Sequence, residues 1–348
     1  MDVVDSPSNQ NEDMEMAVPM NFILRFLGYA ALTMTTLFLI MTGLWDVFVH
    51  QAHWLRGLIT AVVLLLFLRG MQTEWRVSVI HSEDTSPLTR SDLYGGAAVW
   101  IGAVVTYALH LEWGLSAVVA SSLVGIVAHA MTRRLAVAAF CGSFVGMASV
   151  SVFPGYASLA LAGLLAGVMY VASKVAFDGF GGKLGTIAFA GSIPVAFMFG
   201  SAFIEAAAPP ESLFGHLVIA AIIAALFTYT LHAHLGFGPV LASGLVGLAA
   251  GIWLPLLDPV HGPLLAVMVF CASFVGMASR RRLPHAGAVA LAGLFCALIF
   301  VFSTPYFAGA GGKLGTTAFA STAAVVGLWD LMAPRNRSSA VKDGQGAV

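Results

Sequence analysis

Two short stretches hold the residues whose types and spacing could do chemistry. They are Phe177-Asp-Gly-Phe-Gly-Gly-Lys-Leu-Gly-Thr186 and Tyr306-Phe-Ala-Gly-Ala-Gly-Gly-Lys-Leu-Gly-Thr316. Each sets clustered glycines and one lysine into otherwise apolar sequence. Glycine permits backbone outside the helical region, and irregular backbone at membrane depth is tolerated only where it lines a cavity or is buried in protein. Apolar helical sequence resumes after Thr186 and Thr316, so Lys183 and Lys313, behind Gly182 and Gly312, belong at or just before helix N-termini. Backbone N–H groups and positive dipole ends converging beside two ammonium groups would make a site for a small anion or a carbonyl oxygen. A second reading stands beside it: a lysine near a segment end snorkels to the headgroups, and a Gly-rich stretch is a turn between helices. The GxxxxGK(S/T) spacing of a phosphate-binding loop is not met.

These stretches must be positioned by a duplicated unit. FCGSFVGMAS begins at Phe140 and FCASFVGMAS at Phe270, and the Gly-Gly-Lys blocks follow at the same 130-residue offset. The sequences between them agree in kind, ASLALAGLLAG against GAVALAGLFCA. Upstream, Thr106–Gly125 matches Thr228–Gly247 at an offset of 122, so the second copy carries eight extra residues near Ile252–Pro263. A spacer kept to the residue in both copies means duplication.

The 348-residue chain is 59% hydrophobic and 9% charged with a net charge of −1, whereas soluble domains carry roughly 25% charged residues. That places it in a lipid bilayer and leaves no footprint for nucleic acid. Spans need about 20 apolar residues, fewer where broken. The expected segments are 22–48, 55–70, 93–110, 114–131, 135–151, 155–176, 184–204, 214–232, 236–255, 262–279, 284–304 and 314–333. The fold class is therefore all-α integral membrane: two five-helix inverted repeats with broken or half-length helices (93–204 and 214–333), plus two N-terminal helices (22–70), about twelve segments in all. A disordered cytoplasmic leader over 1–21, a cytoplasmic linker over 71–92, a short linker over 205–213 and a tail over 334–348 complete the expected division.

Charge sets the orientation. If every segment crosses, Arg69, Arg76, Arg90, Arg133, Arg134, Arg280–Arg282, Arg335, Arg337 and Lys342 share one side, eleven of the sixteen basic residues. The positive-inside rule makes that side cytoplasmic, with both termini in, and the cell (inner) membrane the location. Arg133–Arg134 corresponds to uncharged Pro263–Leu264, and Arg280–Arg282 to uncharged Val150–Val152. The basic cluster has moved one loop along, as an inverted copy requires, and such repeats build transporters around a midplane site.

Other polar positions have bland alternatives. Thr106, Tyr107 and His110 match Thr228, Tyr229 and His232, as a vestibule lining or as interface anchors. Lys174 and Glu205 are intramembrane candidates. Cys141, Cys271 and Cys296 sit in apolar runs without metal-ligand spacing and read as small buried hydrophobes. Asp46 and Asp330, each in a GLWD stretch, fall outside the repeat register.

FCGSFVGMAS and FCASFVGMAS, with LGTIAF (Leu184–Phe189) and LGTTAF (Leu314–Phe319), resemble the half-repeat of the urea transporter family. There, a Phe-rich FNGxLVGxA stretch precedes a helix and then an LTxPF motif that starts a half-length pore helix. The resemblance covers about residues 90–333 and sets Thr186 and Thr316 in the place of the pore threonines, near Phe189, Phe319, Phe140 and Phe270. It implies a trimer with one pore per subunit. The Asn and Pro of those motifs are absent here, and a lysine stands near each pore helix.

The function expected is a channel or facilitator for a small polar solute, either a small anion or a urea-like amide, through a pore between the repeats. Its partners would be that solute, the lipid bilayer and further copies of the chain. No cofactor, metal or enzymatic activity is expected. The alternative is a structural or partner subunit of a larger membrane complex, without transport of its own.

Overall fold

Long apolar runs in a bilayer must satisfy their backbone groups internally, and helices do so within each segment. The computed structural model describes residues 7–49, 54–80 and 88–332, with side chains over 22–45, 57–80 and 88–332. Twelve α-helices follow in chain order: α1 Pro7–Val49, α2 Trp54–Trp75, α3 Arg90–Leu111, α4 Ala117–Met131, α5 Arg133–Gly146, α6 Tyr156–Ala172, α7 Lys183–Met198, α8 Phe214–Tyr229, α9 Pro239–Leu257, α10 Gly262–Gly276, α11 Ala286–Ser303 and α12 Lys313–Met332. Among the described residues, seven helices are long and apolar enough to cross a membrane, while α4, α6, α7 and α10 are shorter apolar helices. The protein is an all-α, multi-pass membrane fold.

Two boundaries differ from expectation. α1 starts at Pro7, inside the stretch expected as a disordered leader, and a proline is compatible with the first helical turn it occupies. Residues 1–6 and the tail from 333 lie outside the described residues. α2 runs on past residue 70 to Trp75 and then through a π-helical turn at Arg76–Ile80. Its polar residues look like a connection, yet Met71, Glu74, Ser78 and Val79 are buried.

Each repeat packs in one order. α3 lies against α5 and α6, and α8 lies against α10 and α11, while α4 meets α9 and α7 meets α12 across the halves. Small residues permit this closeness: a side chain on Gly142 of α5 would overlap the Val99 carbonyl of α3. Buried hydroxyls add matching hydrogen bonds. Ser121 and Ser143 are 2.7 Å apart and Ser243 and Ser273 2.8 Å apart. The Tyr229 hydroxyl donates to the Leu283 carbonyl at 2.8 Å, as the Tyr107 hydroxyl does to that of Phe153. Tyr107 and Tyr229 are thus buried struts, not interface anchors.

Ion pairs gather one end of the bundle. Arg69 pairs with Asp330 at 2.7 Å, Lys174 with Asp92 at 3.2 Å, and Arg282 with Glu74 at 2.6 Å. Arg280 donates to the Ala233 carbonyl at 2.7 Å. This end therefore holds the start of α3 but the far end of α8, so the repeats run in opposite senses. At the other end Tyr156 donates to Glu112 at 3.1 Å, and Ile204 N–H donates to the Ala308 carbonyl at 2.9 Å. Asp330 is explained by Arg69, whereas the Asp46 side chain lies outside the described residues.

Candidate functional site

Between α6 and α7, and again between α11 and α12, the chain turns back on itself through a glycine-containing hairpin. The turns rest on left-handed backbone at Gly182 (φ 80°) and Gly312 (φ 88°), the residues just before α7 and α12. Only glycine fits there, because a Cβ on Gly182 would overlap the Phe319 amide and one on Gly312 the Phe189 amide. Phe177 (φ 58°) and Phe307 (φ 51°) share the left-handed region, which is strained for bulky residues. Contacts across the halves are reciprocal: Ser149 N–H donates to the Gly309 carbonyl and Ser279 N–H to that of Gly179, both at 2.9 Å. The first turns of α7 and α12 meet at Gly185 and Gly315, where a Cβ on either would overlap the Cα of the other. Reciprocity of this kind is what a two-fold relation produces.

Lys183 and Lys313 are the first residues of their helices. Each ammonium reaches back to a carbonyl just past the preceding helix: Lys183 Nζ to Lys174 O at 3.3 Å, and Lys313 Nζ to Thr304 O at 3.0 Å. A cation is favoured at a helix C-terminus, so each lysine ties the two arms of its hairpin. Lys313 is buried, and Lys183 is partly so.

Both lysines line cavities. The first, about 390 Å³, lies toward the arginine-rich end, between Lys174, Asp178, Lys183, His232 and Ser279 on its polar side and Phe144, Phe274 and Val137 on its apolar side. The second, about 260 Å³, lies toward the opposite end, between Lys313, Thr304 and the Gly309–Gly312 backbone on one side and Phe144, Phe274, Val267 and Phe300 on the other. Phe144 and Phe274 belong to both walls, with ring centroids 4.7 Å apart. They form the partition between two chambers approached from opposite ends.

The remaining expected site residues support this arrangement from behind. Thr186 and Thr316 are fully buried, and their hydroxyls donate to the Gly182 and Gly312 carbonyls at 3.3 Å, so neither lines a chamber. Phe140 and Phe270 complete a cluster with Phe144 and Phe274, edge-on at 4.6 Å within each helix. Phe189 packs on Phe307, and Phe319 on Phe67, Phe177 and Phe180, facing the N-terminal helices. Lys174 lines the first chamber, but Glu205 is exposed in the connection after α7. His232 is in the first chamber's wall, while His110 bonds the Leu115 carbonyl at 2.7 Å away from both. The cysteines are buried and free, Cys141 and Cys271 donating to the Leu184 and Leu314 carbonyls at 3.2 and 3.1 Å. Among the described residues no group of three His, Cys, Asp or Glu side chains is arranged to hold a metal.

Sequence reasoning passed over Phe144, Phe274, Asp178, Gly185 and Gly315. The signal for all but Asp178 was present, since each falls inside a stretch repeated in both halves. No family model, no curated protein and no solved structure matches the chain.

Proposed function

We propose that the protein is a membrane channel or facilitator for a small polar solute, with its path running between the two inverted repeats. The observation that carries this reading is the pair of chambers reaching inward from opposite ends to one aromatic partition, Phe144 and Phe274. Matched half-paths around a two-fold are what alternating or gated permeation needs, and midplane sites at repeat interfaces are where transporters bind. Backbone carbonyls and amides freed by the hairpins add to the polar contacts of Lys183 and Lys313, opposite walls faced by Phe144 and Phe274.

The proposal places the chain in the inner membrane with both termini cytoplasmic, the arginine-rich end facing in. It includes a homo-oligomer, a trimer by the resemblance to urea transporters, with one path per subunit. It involves no catalytic step, no cofactor and no nucleic acid.

Stopped-flow swelling of proteoliposomes tests it, with urea, formamide, chloride and phosphate as solutes and empty vesicles as reference. Flux of at least one solute well above the empty-vesicle rate is the expected result. Background rates for all of them would sink the channel and leave the fold as a structural subunit, which co-purifying membrane partners would then identify.

A further inference from the structure

A buried charge needs compensation, and among the described residues no countercharge supplies it to Lys313. Its exposure is 9%. Three other cations near the first hairpin are matched: Lys174 by Asp92, Arg281 by Asp178 and Arg282 by Glu74. One carbonyl, Thr304 O, accepts from the ammonium, which has three N–H donors. The same chamber is walled by Leu314 and Gly315 of the first turn of α12, where helical N–H groups lack intrahelical partners. Among the described residues no carboxylate lines this chamber. In the symmetry-related chamber, among the described residues, Lys183 also has no ion pair and Ser279 contributes a buried hydroxyl without a hydrogen-bond partner.

From this we infer that the chamber at Lys313 binds a small monovalent anion, a halide or a short carboxylate of formate size. The ammonium supplies the countercharge and the first turn of α12 the N–H donors, as anion sites at helix N-termini do. One unpaired cation per chamber matches one negative charge, which disfavours a divalent ion such as hydrogen phosphate. A neutral amide of the same size can accept a hydrogen bond from the ammonium through its carbonyl oxygen but brings no countercharge. The site deepens the channel reading by naming its solute class, although the binding itself does not depend on transport.

Formate and formamide differ in charge and hardly in size, so they make the test. Equilibrium binding of radiolabelled formate to the purified full-length protein is measured by scintillation proximity, with unlabelled competitors. Saturable binding displaced by chloride or nitrate, and not by formamide, is expected. Lys313→Met should weaken it by about tenfold or more, and Lys313→Arg should retain it. Competition between anion and amide uses the unaltered chain, so a variant that fails to fold does not leave the question open. Displacement by formamide as effective as by chloride, no saturable binding, or full binding by a folded Lys313→Met protein would overturn the anion site. Swelling assays separate the two readings. Formamide flux without formate binding keeps the channel and removes the anion site, whereas formate binding without flux keeps the site and removes the channel.

Discussion

Phe144 and Phe274 decide whether the chambers communicate. Their rings are in contact across the two-fold and each faces both cavities. Replacing both with leucine removes aromatic area from the partition while keeping the position apolar. Phe144→Leu/Phe274→Leu is expected to raise flux of the permeant solute several-fold and to admit larger amides, read as swelling with acetamide against formamide. Unchanged rates and unchanged size cut-off would show that the path does not pass between these rings. The sequence pointed to this helix but to the neighbouring turn. Phe140 and Phe144 stand four residues apart on one helical face, as do Phe270 and Phe274. Which of each pair meets open space depends on Gly125 and Gly247, whose missing side chains receive the Phe140 and Phe270 rings. That choice belongs to helix packing and is absent from spacing alone. The role of Lys183 and Lys313 was half legible: their place at a helix start follows from the glycines, but the carbonyls they reach lie nine residues back, across a turn whose path could not be drawn.

At the scale of elements, the N-terminal pair of helices is locked to the first hairpin and is no loose addition. Glu74, on the stretch of α2 expected as a linker, is buried with 1% of its side chain exposed, and Arg282 beside it with 9%. Arg282 Nη2 donates to Glu74 Oε1 at 2.9 Å while its Nη1 lies 2.6 Å from Oε2. The same carboxylate accepts from the Ser78 hydroxyl and from the strained Phe177 N–H at 3.2 Å, and the guanidinium carbon sits 4.2 Å over the Phe180 ring. Three separate parts of the chain thus converge on one charge pair. Removing one partner leaves the other charge buried, a loss of about 3–5 kcal/mol. Glu74→Gln should therefore lower the thermal midpoint of the detergent-solubilised protein markedly, and Glu74→Met/Arg282→Met should restore much of it. A Glu74→Gln protein as stable as the parent would show that the pair carries no such weight. Glu74 read as a loop residue because its partner is 208 positions away, and nothing local announces burial.

For the whole molecule, the class and the duplication were open to reading because both are written in long patterns: apolar runs, a constant offset, and a basic cluster that shifts by one loop. Opposed senses of the repeats followed from that charge shift, and the ion pairs at one end of the bundle agree with it. The packing of α4 on α9 and of α7 on α12 was not readable, since those faces carry small apolar residues with no distinguishing chemistry. Orientation in the bilayer is settled by labelling. Single cysteines at opposite ends, Glu112→Cys and Arg281→Cys, are treated in intact cells with an impermeant maleimide, against a background of three buried native thiols. Glu112→Cys is expected to react from outside and Arg281→Cys only after permeabilisation. The reverse pattern would turn the molecule over.

The meeting of Gly185 and Gly315 has one more consequence. The contact is self-complementary, so a chain reduced to a single repeat would find its mate only in another copy facing the other way. Such a half-length protein would have to insert in both directions in equal numbers, with its basic residues balanced so finely that neither direction prevailed. Fusion of two copies removes that demand. It fixes the stoichiometry of up and down at one to one in every molecule, and frees each half to keep the arginines that hold it in place.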